Sequence, residues 1–365
     1  MKIPVYRPYL PPESLYYAHK ALDDGHVANG GPYVYNVTEQ LQSLVGIKHV
    51  IPVNNGTSAT HLLIKALRYK YPGIRNIIVP NNSYVAVYNS ILYEGYHNII
   101  AIDANLDTWN MDLSKIDHVP DDTAIMVVHN LGNIINVPRV HRRFPNAIII
   151  EDNCEGFTGR YEGKYSGTDC LVSSISTFIN KQVTSGEGGA VFTNDSKLAE
   201  YITLVKRQGQ GPKRFIHELL GNNFRMSNLQ AALLLGQLQL LDEILDMKSD
   251  VFDYYKKHLE GQTGIVLQKE EPNTERANWM FGLKFVGGTG YAKAEKFFED
   301  AGIETRPMFY STRYHSYLGG INMECDEVAQ ILSNEVVILP SWPGLTTTEL
   351  DYIIEWVLRY RDEIG

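Results

Sequence analysis

At 365 residues the chain exceeds what one small core can serve and fits a large domain with a smaller companion. Hydrophobic residues make up 44% and charged residues 21%, the balance of a water-soluble globular enzyme rather than a disordered or fibrous chain. The formal charge of −9 argues against a nucleic-acid partner, which needs a net basic face, but leaves room for a small anion held by a local basic cluster.

Met1-Lys2-Ile3-Pro4-Val5-Tyr6-Arg7-Pro8 carries no apolar signal core, and no apolar run approaches 18 residues, so no membrane partner is expected. Cys154, Cys170 and Cys325 are odd in number and far apart, with neither a disulfide framework nor a zinc spacing. A reducing, cytoplasmic setting follows as the expectation. The 11 histidines show no metal-ligand spacing, and His217-Glu218 lacks the second histidine of a zincin, so no metal site is expected.

Short β-branched runs recur along the first half: residues 49–53, 76–80, 98–103, 124–129 and 147–152, each followed by a more helical stretch. Several are apolar on both faces, as strands of a parallel sheet buried beneath helices must be. The alternation predicts an α/β fold, with ligands beyond the carboxyl ends of the strands, where Asn54, His129 and Asp152 fall. Residues 171–180 read as a further strand ending in small polar groups. From Asn228 to Met247 the apolar spacing becomes helical, predicting a long helix that links two domains. Beyond it, a strand over 279–286, a helix near 292–301, a strand around 303–307 and a terminal helix from Thr347 predict a smaller α+β unit. The division is drawn as 1–245 and 246–365. Gly287-Gly288-Thr289-Gly290 reads as a turn, and no GxGxxG follows a strand.

Asn54-Asn55-Gly56-Thr57-Ser58-Ala59-Thr60 follows a strand and opens a helix. Its free amides, with the Thr57 and Ser58 hydroxyls, suit a phosphate; an ordinary capped helix start has the same sequence. Tyr84 follows another strand end and is placed to lie flat on a ring, although with 23 tyrosines packing accounts for any one of them equally. Asp152 ends a run of three isoleucines, where burial without a partner is costly; a turn or N-cap aspartate is the alternative. Glu155, three residues on, reads either as a surface acid or as a group facing a reacting carbon. Lys181 precedes Gly186, Gly188 and Gly189, which permit a tight turn against a ligand or, more plainly, a glycine-rich hairpin.

Taken together, Lys181 and Asp152 suit pyridoxal phosphate: the amine bonds the aldehyde, and the carboxylate keeps the pyridine nitrogen protonated so the ring acts as an electron sink. Neither residue says this alone.

Many motifs in one order carry a resemblance: Gly25-His26-Val27-Ala28-Asn29-Gly30-Gly31-Pro32, Asn55-Gly56-Thr57-Ser58-Ala59, Ser83-Tyr84-Val85-Ala86, Val128-His129-Asn130-Leu131-Gly132, Glu151-Asp152, Asn180-Lys181 with Thr184-Ser185-Gly186-Glu187-Gly188-Gly189, Phe224-Arg225-Met226-Ser227-Asn228, Gly302-Ile303-Glu304-Thr305-Arg306-Pro307 and Leu339-Pro340-Ser341-Trp342-Pro343. The chain resembles the DegT-type, pyridoxal-phosphate-dependent nucleotide-sugar aminotransferases over nearly its whole length. The resemblance implies an aspartate-aminotransferase-like fold of type I and a homodimer with each active site at the interface. It assigns Lys181 as the cofactor lysine, Asp152 as the pyridine partner, Tyr84 as the stacking ring, and Gly56, Thr57, Ser58 and Ser176 as phosphate ligands. Asn228 matches the residue that reaches the partner subunit's cofactor phosphate.

An acid at Glu155 resembles the GDP-perosamine synthase branch of sugar 4-aminotransferases. The implied substrates are L-glutamate and a nucleotide-linked 4-keto-6-deoxy sugar, with Asn29, Glu155, Asn180, Arg306 and Arg313 near them, and Lys213 and Arg214 as further basic candidates. A 3-aminotransferase acting on a dTDP- or UDP-linked sugar, and a sugar dehydratase on the same fold, are the alternatives; the family's dehydratases carry histidine where Lys181 stands. Departures from the family pattern are Asn153 and Cys154 after the acid pair, Ile179 in place of a glycine, and Arg313 where members often carry histidine.

Overall fold

The computed structural model describes residues 2–288, 290–323 and 325–365. The expected turn at 287–290 therefore falls partly outside the described residues, at Thr289.

Eight strands form the main sheet, in the spatial order His49–Val53, Gly189–Thr193, Ser173–Ser176, Ile148–Asp152, Thr123–Val128, Asn76–Pro80, Asn98–Ile102 and Asn322–Met323. All neighbouring pairs are parallel except the two made by Gly189–Thr193, which runs against both its neighbours. The expected α/β fold with a mostly parallel, helix-flanked sheet is borne out.

Alternate residues of one strand serve opposite cores, which is why the runs read as apolar on both faces. Ile77, Val79, Met126 and Ile150 join Leu62, Leu63 and Leu67 of the helix Gly56–Lys70 on one side. Ile78, Ile125, Val127 and Ile149 pack with Val137 and Val140 of the helix Val137–Arg143 on the other.

Four sequence expectations are corrected in detail. The long helix is two, Asn228–Gln239 and Leu241–Leu259, because Leu240 leaves helical geometry at φ −111°, ψ 25°. The strand read from 171 is confined to Ser173–Ser176, the one from 279 to Phe281–Phe285, and the one around 303–307 to Arg306–Pro307. Trp279, read as part of its strand, precedes it and gives its carbonyl to Lys248 Nζ, on the helix Leu241–Leu259, at 2.7 Å.

A second sheet, ordered Ile265–Leu267, Phe281–Phe285, Val336–Leu339 and Arg306–Pro307, is antiparallel throughout. The helices Leu241–Leu259 and Thr347–Ile364 pack on it through Val251, Phe252, Tyr255, Ile353 and Val357. Ile3 joins the same core and bridges Ile303. Leu241 and Ile244, at the other end of the helix Leu241–Leu259, belong to the core under the main sheet. That helix therefore crosses residue 245 without a break.

Candidate active site

The carboxyl edge of the main sheet collects the candidate groups. Asp152 is the last residue of its strand and pairs in register with Ser174 of the parallel neighbour. That neighbour ends at Ser176, and the chain then loops back into the antiparallel strand that starts at Gly189. Lys181 lies in this connection, so one topological event, a parallel strand followed by a reversing one, delivers the amine to the edge that holds Asp152. The lysine loop and the hairpin of the plainer reading are one object.

The loop is closed by Thr177, whose N–H donates to Gly188 O and whose carbonyl accepts from Ser185 N–H, both at 2.9 Å. Gly188 is obligatory, since a Cβ there would stand 2.4 Å from Thr177 Oγ1 and 2.3 Å from Ser185 Oγ.

Asp152, 6% exposed, has no ion-pair partner within 4 Å among the described residues. Its Oδ2 accepts from Thr60 Oγ1 at 3.0 Å, and its Oδ1 from Cys154 N–H at 3.0 Å and Ser174 Oγ at 3.3 Å. Neutral donors fix its direction but leave its charge without a cation, as a carboxylate awaiting a positively charged N–H donor would be. Lys181 stands within electrostatic reach: burial lowers its amine below the usual lysine range, while Glu155, Cys154 and Asp152 oppose that shift.

Glu155 is buried, not a surface acid. Loss of water pushes its carboxyl up to about 7, against the pull of Lys181 and of the Leu131 N–H, which donates to Oε2 at 2.9 Å. Lys181 and Glu155 are thus each shifted toward neutrality, the pattern of groups that exchange protons at ordinary pH.

The helix Gly56–Lys70 opens at the same edge. Asn55 caps it by accepting from Ser58 N–H at 2.8 Å, so the Gly56 and Thr57 amides remain at the helix start for an anion. Gly56 fits against Ser176: a Cβ would come 2.7 Å from Ser176 Cβ and 3.3 Å from Cys154 Sγ. Thr57 is exposed, and Ser58 and Ser176 are buried. The Asn54 Oδ1 beside them is buried without a hydrogen-bond donor.

Tyr84 is exposed, with its ring 6.2 Å from Phe309. The loop carrying Phe309 and Arg313 is stitched to the strand end before Tyr84: Thr312 donates to Asn81 Oδ1 through N–H at 3.0 Å and Oγ1 at 2.6 Å. Arg313 itself forms a two-point pair with Asp326 at 2.9 and 2.8 Å. Arg306 pairs with Glu304 and gives a second bond to Thr305 O. Asn29 is exposed and bridges Ser227, and the neighbouring Asn228 is buried, bonded to Ala28 O at 3.1 Å and to Val34 N–H at 3.3 Å. Lys213 and Arg214 stand on an exposed loop, Arg214 lying over the Phe215 ring. No cluster of three or more metal-ligating side chains exists among the described residues.

The profile of the DegT/DnrJ/EryC1/StrS aminotransferase family matches residues 9–358. The chain belongs to that family. It is 32% identical to GDP-perosamine synthase of Escherichia coli O157:H7 over 98% of both chains. To GDP-perosamine synthase of Caulobacter vibrioides it is also 32% identical, over 97% of this chain and 96% of that one. Among solved structures it shares its fold with the E. coli GDP-4-keto-6-deoxy-D-mannose-3-dehydratase with bound hydrated PLP, at a TM-score of 0.90 and 22% identity, over 98% of this chain and 99% of that chain.

Within this aminotransferase family member, the sequence reading overlooked two contributors. Thr60 holds Asp152, and its only signal was a hydroxyl one helical turn past Gly56. Trp279 lies with its ring centroid 3.5 Å from Lys181 Nζ and donates its indole N–H to the backbone Asn180 O at 2.8 Å, while the Asn180 side-chain Oδ1 is buried without a partner. Nothing in the linear sequence ties residue 279 to residue 181. His129, expected at the ligand edge, instead turns inward: Nδ1 accepts from Ile135 N–H at 3.0 Å, so Nε2 carries the proton and donates to Glu151 at 2.8 Å. No helix among the described residues is long and apolar enough to cross a membrane.

Proposed function

We propose that this aminotransferase uses pyridoxal phosphate to move an amino group from L-glutamate to C4 of a GDP-linked 4-keto-6-deoxy sugar. The single observation that carries the reading is the trio at one sheet edge, half-buried Lys181 with the buried carboxylates Asp152 and Glu155 and, among the described residues, no carboxylate bonded to the amine. The GDP-linked substrate follows from the likeness to perosamine synthases over nearly the full chain.

The residues present fit the cofactor. Asp152 offers an oriented, unpaired carboxylate for a protonated ring nitrogen, and Gly56, Thr57, Ser58 and Ser176 surround the helix start that suits its phosphate. Bound there, the cofactor supplies an aldehyde carbon and an electron-withdrawing ring.

Lys181 would hold the cofactor and, once freed by the donor amine, would carry the donor's α-proton at Nζ between the substrate carbon and the cofactor. Burial lowers its basicity below the usual lysine range, the direction that favours the free amine. Glu155, titrating at about 7, holds or releases a proton beside that amine. Tyr84 covers the ring. Asn29, Asn180, Arg306 and Arg313 line the sugar nucleotide's approach, with Arg313 using two of its three nitrogens on Asp326. Asn228 completes the partner subunit's phosphate site in a homodimer, and the division drawn at 245 and 246 falls inside a helix that serves both units.

Purified enzyme given L-glutamate with GDP-4-keto-6-deoxy-D-mannose and with UDP- and dTDP-linked keto sugars tests this, with products read by mass spectrometry and NMR. A 4-amino GDP sugar and one equivalent of 2-oxoglutarate are expected. Amination of only the UDP or dTDP sugars would overturn the nucleotide assignment, and loss of the C3 hydroxyl without nitrogen gain would make it a dehydratase.

A further inference from the structure

Trp279 is 7% exposed and makes the shortest cation–ring contact among the described residues, with Lys181 Nζ 3.5 Å from its ring centroid. The indole N–H and the backbone that carries it are both bonded. Its N–H donates to the carbonyl of Asn180, the residue before Lys181, at 2.8 Å. Its own carbonyl accepts from the buried Lys248 Nζ at 2.7 Å, and Lys248 also donates to Ser341 O. Upstream, Ala277 N–H donates to Gly132 O at 2.8 Å and Ala277 O accepts from Gln182 at 3.2 Å. The Trp279 backbone approaches Gly132 closely: a Cβ there would stand 3.0 Å from Trp279 N.

We propose that Trp279 is a positioning residue whose indole face is the resting place of the Lys181 ammonium whenever that amine is not bonded to the cofactor. A ring face stabilises an ammonium modestly and without a directional bond. An ion pair with Glu155 or Asp152 would hold the amine far more firmly and quench it as a base. The indole therefore keeps the amine close, oriented and releasable. Lys248 serves at one remove, as a buried strut whose Nζ fixes the Trp279 carbonyl. This deepens the function proposed above and rests on Lys181 being the cofactor lysine.

The test reads the basicity of one amine in the full chain after the cofactor is removed. Lys181 acylation by acetic anhydride is followed against pH, with the labelled peptide quantified by mass spectrometry. Glu155, Asp152 and Cys154 are the titratable groups facing the amine, and they are unchanged in every protein compared. Trp279→Leu is expected to lower the labelling midpoint by about half a unit to one unit, and Trp279→Phe, which keeps a ring, by less than half of that.

Global replacement of the four tryptophans by a polyfluorinated tryptophan keeps the indole's shape while cancelling its electron-rich face, and it decides the matter, because leucine also admits water. A lower midpoint in the fluorinated protein supports the proposal; a midpoint unchanged or raised overturns it. Borohydride reduction of native holoenzyme separately locates the cofactor. If it maps to another lysine, the function assigned to Lys181 falls, whatever the labelling midpoint shows about the indole.

Discussion

Glu155 Oε2 accepts the backbone N–H of Leu131 at 2.9 Å, and Leu131 reaches it from a left-handed conformation, φ 56° and ψ 24°. A leucine there is strained, with a cost of the order of 1–3 kcal/mol, and a fully buried side chain holds it in place. The bond fixes a carboxyl that burial would otherwise leave without a donor, and it aims that carboxyl into the site.

The protonation of Glu155 predicts a pH dependence. Its folded value of about 7 lies above the ordinary 4.5, so between those limits the folded chain binds more protons than the unfolded one. The group's contribution to stability therefore declines as pH rises from 4.5 to about 7, by on the order of 3 kcal/mol. Glu155→Gln keeps the Leu131 bond and removes the titration. Relative to wild type it should gain stability across that window in denaturant melts of the cofactor-free chain, and it should lose the acid limb of kcat. A stability difference independent of pH would show that Glu155 is ionised throughout.

Lys181→Ala should abolish turnover while the protein still retains cofactor and sugar noncovalently, because the helix start and Asp152 remain. Single-turnover assays with trapped product would reveal any survival of catalysis; a rate near wild type removes Lys181 from the chemistry.

Asp152→Asn is expected to fold and to lose activity by roughly a hundredfold or more, the usual cost of losing a fixed charge at a reacting centre. Thr60→Val probes the same carboxylate indirectly, since it retains volume but deletes the 3.0 Å hydroxyl bond. A smaller fall in kcat and a stability loss of about 1–3 kcal/mol should follow. Equal kinetics for Thr60→Val and wild type would mean that Cys154 N–H and Ser174 suffice to orient Asp152.

Gly56→Ala places a methyl 2.7 Å from Ser176 Cβ, and the wall behind it is another side chain rather than open solvent. Overpacking of that size costs about 1–3 kcal/mol, and the displacement falls on the phosphate cradle. Thermal unfolding and the retention of visible cofactor absorbance through gel filtration should both decline; unchanged retention would separate the cradle from the phosphate site.

The strands, their burial on both faces, the order of elements and the placing of Lys181 and Asp152 at one sheet edge were legible in the chain, because each is written in local patterns of residue type. A short β-branched run such as Ile148-Ile149-Ile150 favours a strand covered on both sides, and an aspartate closing it must meet a ligand, a cap or a turn. What the chain could not disclose is which distant segments meet. That Thr60 bonds Asp152, that Trp279 lies beneath Lys181, that Leu131 turns left-handed toward Glu155 and that His129 turns away toward Glu151 depend on the register between neighbouring strands and on how the second unit packs against the first. Periodicity sets the local geometry of a segment, whereas proximity between residues a hundred positions apart is set by packing, which only the folded chain decides.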